Sequence, residues 1–272
     1  MPEGDTVYRT AAKLRAALEG NVLSRTQFRV NTYANLDLAG LTVARVWPHG
    51  KHLFIQAGDH VIHSHLKMEG AWHAYRSGEK WRKPAWQARV VLETDSWQAV
   101  GYRLGILEVM NTSDAGARTA HLGPDLLGSD WDIGQARERI LTRPARGIGM
   151  ALLDQRNLAG IGNVYRSELC FVRGLDPRTP AASVHDLDAL LALAHRMLWA
   201  NKDRAQRCTT GNMRRGHTLW VYGREHEPCW RCGTLIQRHL IAEEGFTQGA
   251  RPTADERIVY LCPTCQARPS PR

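Results

Sequence analysis

The chain has 272 residues, 43% of them hydrophobic, which is room for two domains with cores of their own and a small third module. Its 36 Lys and Arg against 27 Asp and Glu leave a formal charge of +9, which favours a polyanionic partner, with nucleic acid the leading candidate. No segment approaches the roughly 18 to 20 apolar residues of a membrane span, and no basic start followed by an apolar run marks a leader, so a cytoplasmic protein without a membrane partner is expected.

The chain opens Met1-Pro2-Glu3-Gly4. A small second residue favours removal of Met1, which would expose a secondary amine of low pKa beside a carboxylate. Such an amine, on attacking a sugar aldehyde carbon, gives an iminium cation directly. Asp5 or Thr6 can cap a helix that carries Val7, Leu14 and Leu18 on one face and stops at Gly20. From Val22 to about Val109 the pattern changes to short β-rich runs, among them 41–47, 52–56, 61–65, 89–92 and 97–102, with no helices between them. An antiparallel sandwich or barrel is the expected form. After Gly123-Pro124 the chain turns helical, with helices predicted over 134–141, 149–156, 164–172 and 186–199. An Arg-, Gly- and Thr-rich loop over 203–217 then leads to a cysteine-rich end.

Two C-x2-C pairs, Cys229/Cys232 and Cys262/Cys265, have the spacing that puts four thiolates around one structural zinc ion. In a reducing compartment a metal explains them better than disulfides. The spacer from 233 to 261 is longer than usual, so an extended hairpin containing an insertion over 242–255 is expected. Upstream, Gly160-Ile161-Gly162-Asn163 runs through a turn into a helix N-terminus. Glycines allow close backbone approach there, free N–H groups favour an anion, and Asn163 can add a donor to phosphate. Turn chemistry alone equally allows a plain helix hairpin.

Pro2-Glu3, the Gly50-Lys51-His52-Leu53 turn, Gly160 to Tyr165, Val221-Tyr222-Gly223-Arg224 and the cysteine pairs, taken in this order, resemble the formamidopyrimidine-DNA glycosylase and endonuclease VIII family. The start and the stretch 65–72 are closer to the endonuclease VIII branch, and Gly4-Asp5-Thr6 to its actinobacterial members. The resemblance implies an α+β multidomain fold: an N-terminal β-sandwich with a leading helix (1–124), a helix-two-turn-helix domain (125–223), a zinc ribbon (224–268) and a tail (269–272). It implies a monomer that clamps damaged double-stranded DNA and works at the nucleoid. It further implies a bifunctional DNA glycosylase and abasic-site lyase of base excision repair, which flips the lesion out of the stack.

In that scheme Pro2 is the nucleophile, Glu3 the general acid/base and Lys51 a contact to the phosphate beside the lesion that assists sugar opening. Asn163 and Arg257 match phosphate contacts, Arg257 with a planar fork suited to the task. Met68, in the Lys67-Met68-Glu69-Gly70 turn, is the candidate wedge that fills the hole left by flipping. A second wedge would fall at Leu104 or Tyr102. Arg214 and Arg215 sit in a loop that borders the flipped base or its phosphates. The chain departs from the family in Thr6, which replaces a glutamate, in the second wedge loop and in the longer zinc spacer. Oxidised pyrimidines are favoured by the branch resemblance. An enzyme directed chiefly at abasic sites, hydantoins or crosslinks, and a non-catalytic binder of damaged DNA, are the alternatives.

Overall fold

The computed structural model describes residues 2–247, 253 and 255–267. Met1, six residues of the expected insertion (248–252 and 254) and the tail over 269–272 lie outside the described residues. The chain forms two compact units, one up to His121 and one from Leu122.

In the first unit, helix α1 (Gly4–Leu18) starts before both of its expected caps, one residue ahead of Asp5 and two ahead of Thr6. Glu3 occupies the N-cap position without donating or accepting a side-chain capping bond, and Asp5 instead accepts from the Thr6 N–H at 2.7 Å. Two four-stranded antiparallel sheets follow. The first joins β1 (Arg25–Phe28), β5 (Ala71–Arg76), β6 (Ala88–Glu93) and β7 (Trp97–Tyr102) in the order β1-β6-β7-β5. The second joins β2 (Val43–His49), β3 (His52–Ala57), β4 (His60–His65) and β8 (Ile106–Asn111) in sequence order. Val7, Leu14 and Leu18 of α1 share one core with Leu53, Ile55 and Ile62 of the second sheet and Val90, Leu92 and Ala99 of the first. Alternation along each strand sends the other side chains outward. The helix is locked to β2 at both backbone groups of one residue: the Arg15 guanidinium donates twice to the Val46 carbonyl, at 3.1 and 2.9 Å, while the Glu19 carboxylate accepts the Val46 N–H at 2.8 Å. The residues at the start of the chain therefore ride on a helix fixed to the sandwich.

The second unit carries helices α2 (Ile133–Leu141), α3 (Ile148–Leu153), α4 (Asn163–Val172) and α5 (Leu187–Asn201). Asp132 and Asp186 cap α2 and α5 by accepting an N–H three residues on. Helix α3 ends three residues short of the predicted 156. Asp154 turns extended there, and its carboxylate accepts from Arg146, from the Arg156 side chain and from the Arg156 backbone. A three-stranded antiparallel sheet, β10-β9-β11, closes the unit with β9 (Gln237–Ala242), β10 (Gly245–Thr247) and β11 (Arg257–Leu261). Among the described residues no helix is long and apolar enough to cross a membrane.

Candidate active site and metal centre

Pro2 lies half-buried at a cavity of about 530 Å³ whose lining includes Thr6, Arg9, Leu66, Gly70 and Trp72. Glu3, next to it, is fully buried. The cavity joins the chain's start to the 66–70 turn that carries Met68. Lys51 is half-buried in the two-residue turn between β2 and β3, after Gly50 in the left-handed region (φ 56°), and α1 packs on both of these strands.

A polar face of the second sheet begins immediately after Lys51. His52 faces His65 across the β3–β4 ladder, and Phe54 faces His63. Glu108 accepts from His63 Nδ1 at 3.1 Å, which leaves His63 Nε2 to accept from His52 Nδ1 at 2.8 Å. Arg118 pairs with the same carboxylate at 3.3 Å. The chain of bonds fixes His52 as the Nδ1–H tautomer. His65 has the opposite one, because its Nδ1 accepts the Lys67 N–H at 2.9 Å. Burial, with the neighbouring histidines behind it, pushes His52 down to about 3. Burial and then the lysines at 67 and 51 push His65 down to about 4. Both rings are neutral at pH 7. This row, which composition and motif spacing did not single out, was signalled in the sequence only by the i, i+2 spacing of His63 and His65 along one strand.

Met68 is 68% exposed at the tip of its turn. The turn closes tightly: Gly70 donates to the Leu66 carbonyl at 2.9 Å, and a Cβ on Gly70 would stand 2.4 Å from that oxygen. The second expected wedge is different. Leu104 packs its side chain against the core, and Tyr102 is fully buried with its hydroxyl 3.1 Å from that of Tyr75. Neither projects as Met68 does. The residue of that loop which reaches the Met68 turn is Arg103, whose guanidinium donates to Glu69 at 2.7 Å.

In the second unit, Gln155 organises the turn before α4, donating to the carbonyls of Leu153 and Ile161 and accepting the Gly160 N–H. Gly160 has φ 114°, closed to most side chains. Asn163 begins α4, and Arg257 begins β11, 94 positions later. One buried side chain connects them: Arg166 donates to Asn163 Oδ1 at 3.2 Å and to the Ile258 carbonyl at 2.5 Å. The two residues expected to hold phosphate are thereby kept on neighbouring elements, Arg257 exposed and Asn163 half-buried.

Glu168, one turn further on and completely buried, accepts the backbone N–H groups of Trp220, Val221 and Tyr222 at 2.7 to 2.9 Å and the hydroxyl of Thr209. Burial raises its carboxyl pKa even though these four donors oppose the shift. It ties both ends of the loop carrying the exposed Arg214 and Arg215 to α4. A charged residue inside the apolar run Val164 to Val172 was the available signal for it.

Cys229, Cys232, Cys262 and Cys265 place their sulfurs within 4.8 Å of one another. Three of the separations are 3.4, 3.5 and 3.9 Å. Zinc–sulfur bonds of about 2.3 Å require sulfurs about 3.8 Å apart in a tetrahedron, so the set fits such an ion. The N–H groups of Arg231 and Cys265 point at the sulfurs of Cys229 and Cys262. Hydrogen bonds from Thr234 hold the Cys232 thiol down to about 6, whereas burial and the neighbouring sulfurs push Cys262 and Cys265 up. Four crowded thiols of this kind become thiolates together only around a cation.

The sequence matches the formamidopyrimidine-DNA glycosylase N-terminal domain over residues 1–103 and the H2TH domain of the same glycosylase over 122–200. The chain belongs to this family. It is 49% identical over 276 residues to "Probable endonuclease 8 2" of Streptomyces coelicolor, covering all of this chain and 96% of that one. It is 50% identical over 266 residues to "DNA-(apurinic or apyrimidinic site) lyase Nei2" of Mycolicibacterium smegmatis, covering 98% and 99%. The endonuclease VIII branch expected from the start of the chain and the stretch 65–72 is thus the branch of these relatives. Among solved structures, MutM in complex with carbocyclic 8-oxo-G containing DNA shares the fold with a TM-score of 0.77 at 23% identity, covering 98% of this chain and all of that one. The family's β-sandwich, helical H2TH domain and four-cysteine cluster are all present here.

Proposed function

We propose that the protein is a bifunctional DNA glycosylase and abasic-site lyase of base excision repair, acting as a monomer on damaged double-stranded DNA. The observation that carries the reading is the cavity shared by Pro2 and the Met68 turn, with Glu3 buried beside it. A base turned out of the duplex next to an inserted Met68 would bring its C1′ to the amine of Pro2. The amine adds to C1′ as the bond from C1′ to the base breaks, its electrons and a proton leaving on the base. The amine proton is then lost and the C1′–O4′ bond opens with its electrons on O4′, which takes a proton from Glu3, so that an iminium remains. Loss of the C2′ proton to Glu3 expels the 3′ phosphate, and a second elimination expels the 5′ phosphate. Lys51, Asn163 and Arg257 hold the phosphates that flank the turned-out sugar. Arg214 and Arg215 border the base. Oxidised pyrimidines are the favoured substrates.

In this division of labour the chemistry belongs to 1–124 and the grip on the duplex to 125–223 and 224–268. Cys229, Cys232, Cys262 and Cys265 would hold one structural zinc ion, which supplies folding energy to the ribbon and takes no part in a bond-making step. A narrower reading, a lyase that acts chiefly on abasic sites, is favoured by the name of the relative from Mycolicibacterium smegmatis.

Borohydride added during reaction with abasic-site duplex reduces the iminium and leaves a covalent protein–DNA adduct. The expected outcome is a shifted band that depends on borohydride. Its absence from protein with Met1 removed would contradict the enzyme reading.

A further inference from the structure

Three turns interlock at one end of the first sheet, where Ala71 and Ala88 both pair with Tyr102. They are the Met68 turn, the short helical turn Ala85–Gln87 and the loop 102–105. Arg103 donates its N–H to the Gln87 carbonyl at 2.9 Å, and Gly105 donates to the His65 carbonyl at 3.0 Å. A Cβ on Gly105 would lie 2.2 Å from the Lys67 side chain. Lys67 (φ 52°) and Arg103 (φ 43°) are two of the three non-glycine residues in the left-handed region among those described. Such backbone is held only where the surroundings force it, and it collects at ligand-contacting sites.

The surface of this lock is unusual in composition. Trp86 is 67% exposed, nearly as open as Met68, and the Arg103 guanidinium carbon lies 5.1 Å from its ring centroid. The charges in the three turns and the two residues before Trp86's own turn are Lys67, Lys83 and Arg103 against Glu69 alone. A basic surface with an open aromatic face suits a nucleobase on a polyanionic strand. Glu69 takes one hydrogen-bonding arm of Arg103, so the cluster offers a flat stacking face in preference to a set of donors aimed at a base edge.

We propose that Trp86, braced by Arg103 and Glu69, stacks on the base opposite the lesion, which loses its partner when the lesion nucleotide is turned out, and that this contact makes binding tolerant of which base stands there. The proposal rests on the base-flipping reading above. Stacking on aromatic side chains is insensitive to base identity because every base has a π face.

The test uses the full-length protein and duplexes carrying a stable abasic-site analogue opposite each of the four bases, with an intact duplex as reference. Wild-type affinities for the four should agree within about three-fold. Trp86→Ala should weaken binding to the analogue duplexes about ten-fold, from the usual size of a base–aromatic stack. The intact duplex should lose less than about two-fold, because it leaves no base unpaired. Trp86→Phe should recover most of the loss. 2-Aminopurine placed opposite the analogue should be quenched by wild type and brighter with Trp86→Ala. Equal losses on analogue and intact duplexes, or no loss on either, would overturn the proposal. So would a strong opposite-base preference in wild type that disappears in Arg103→Ala. Tight analogue binding without any borohydride adduct would remove the lyase reading and leave this one standing. An adduct with wild type, combined with an ineffective Trp86→Ala, would do the reverse.

Discussion

Apart from Pro2 and Glu3 at the start of α1, the residues of the N-terminal unit proposed to meet DNA stand on turns at the ends of sheets, whereas those of the C-terminal unit are held through one helix, α4, whose charged side chains are buried. Met68, Arg103 and Trp86 are held by surface contacts, one of them an ion pair with Glu69 that is open to solvent. Asn163 and Arg257 are related through the wholly buried Arg166, and the 209–217 loop is anchored through the wholly buried Glu168. The first arrangement lets recognition residues change with little effect on the fold. The second makes the proposed phosphate grip and the stability of the unit one property, since a buried charge that loses its partners is costly.

Paired substitutions put that contrast to its largest test. Glu168→Gln turns one acceptor oxygen into an amide NH2 facing N–H or O–H donors and should destabilise the protein by about 3 kcal/mol, as two buried donors lose their acceptor. Glu69→Gln removes only an exposed ion pair and should cost about 0.5 kcal/mol. Urea unfolding of the two variants measures the difference. Comparable losses would mean that the units are not built differently.

Acid should separate the units by a smaller margin. Burial lowers the pKa of His52, His63, His65 and His73 in the first unit, against His239 in the second. An imidazole whose folded pKa lies below its unfolded value of about 6.5 binds fewer protons folded than unfolded. Its stabilising effect is therefore complete above about pH 6.5 and is lost as the pH falls toward the folded values, about 3 for His52 and about 4 for His65. In the second unit Asp154, held well below the ordinary carboxylate range by Arg156 and then Arg146, keeps its stabilising effect until the pH falls below that range. Thermal unfolding between pH 7.5 and 4.5 should show His52→Gln flattening the decline. An unchanged slope would mean that His52 takes up its proton as readily folded as unfolded.

The parts of this architecture that repeat a simple period were open to sequence reasoning. The strand over 97–102 has its predicted bounds, and β3, β4 and β6 lie within one residue of theirs, because each is a short β-rich run bounded by glycines or polar turn residues. The cysteine pairs were legible because ligand spacing is local. Strands β1, β5 and β8 were not delimited: β1 spans four residues, and every residue of β8 but the last is half-buried, which erases the alternation. The roles of Glu168, Arg166 and His63 were also hidden, since each depends on partners 41 to 92 positions away that only the fold supplies. Leu104 is the converse case: its place in a family loop suggested a wedge, and its side chain is half-buried against the core.

The central claim, that the amine of Pro2 forms the bond to C1′, is tested most directly by locating the reduced adduct. Protein trapped on abasic-site DNA with borohydride is digested, and the modified peptide is sequenced by mass spectrometry. The account predicts the deoxyribose remnant on the nitrogen of Pro2, in the peptide that begins with that residue. A remnant on Lys51 or any other lysine, with the Pro2 peptide unmodified, would contradict it.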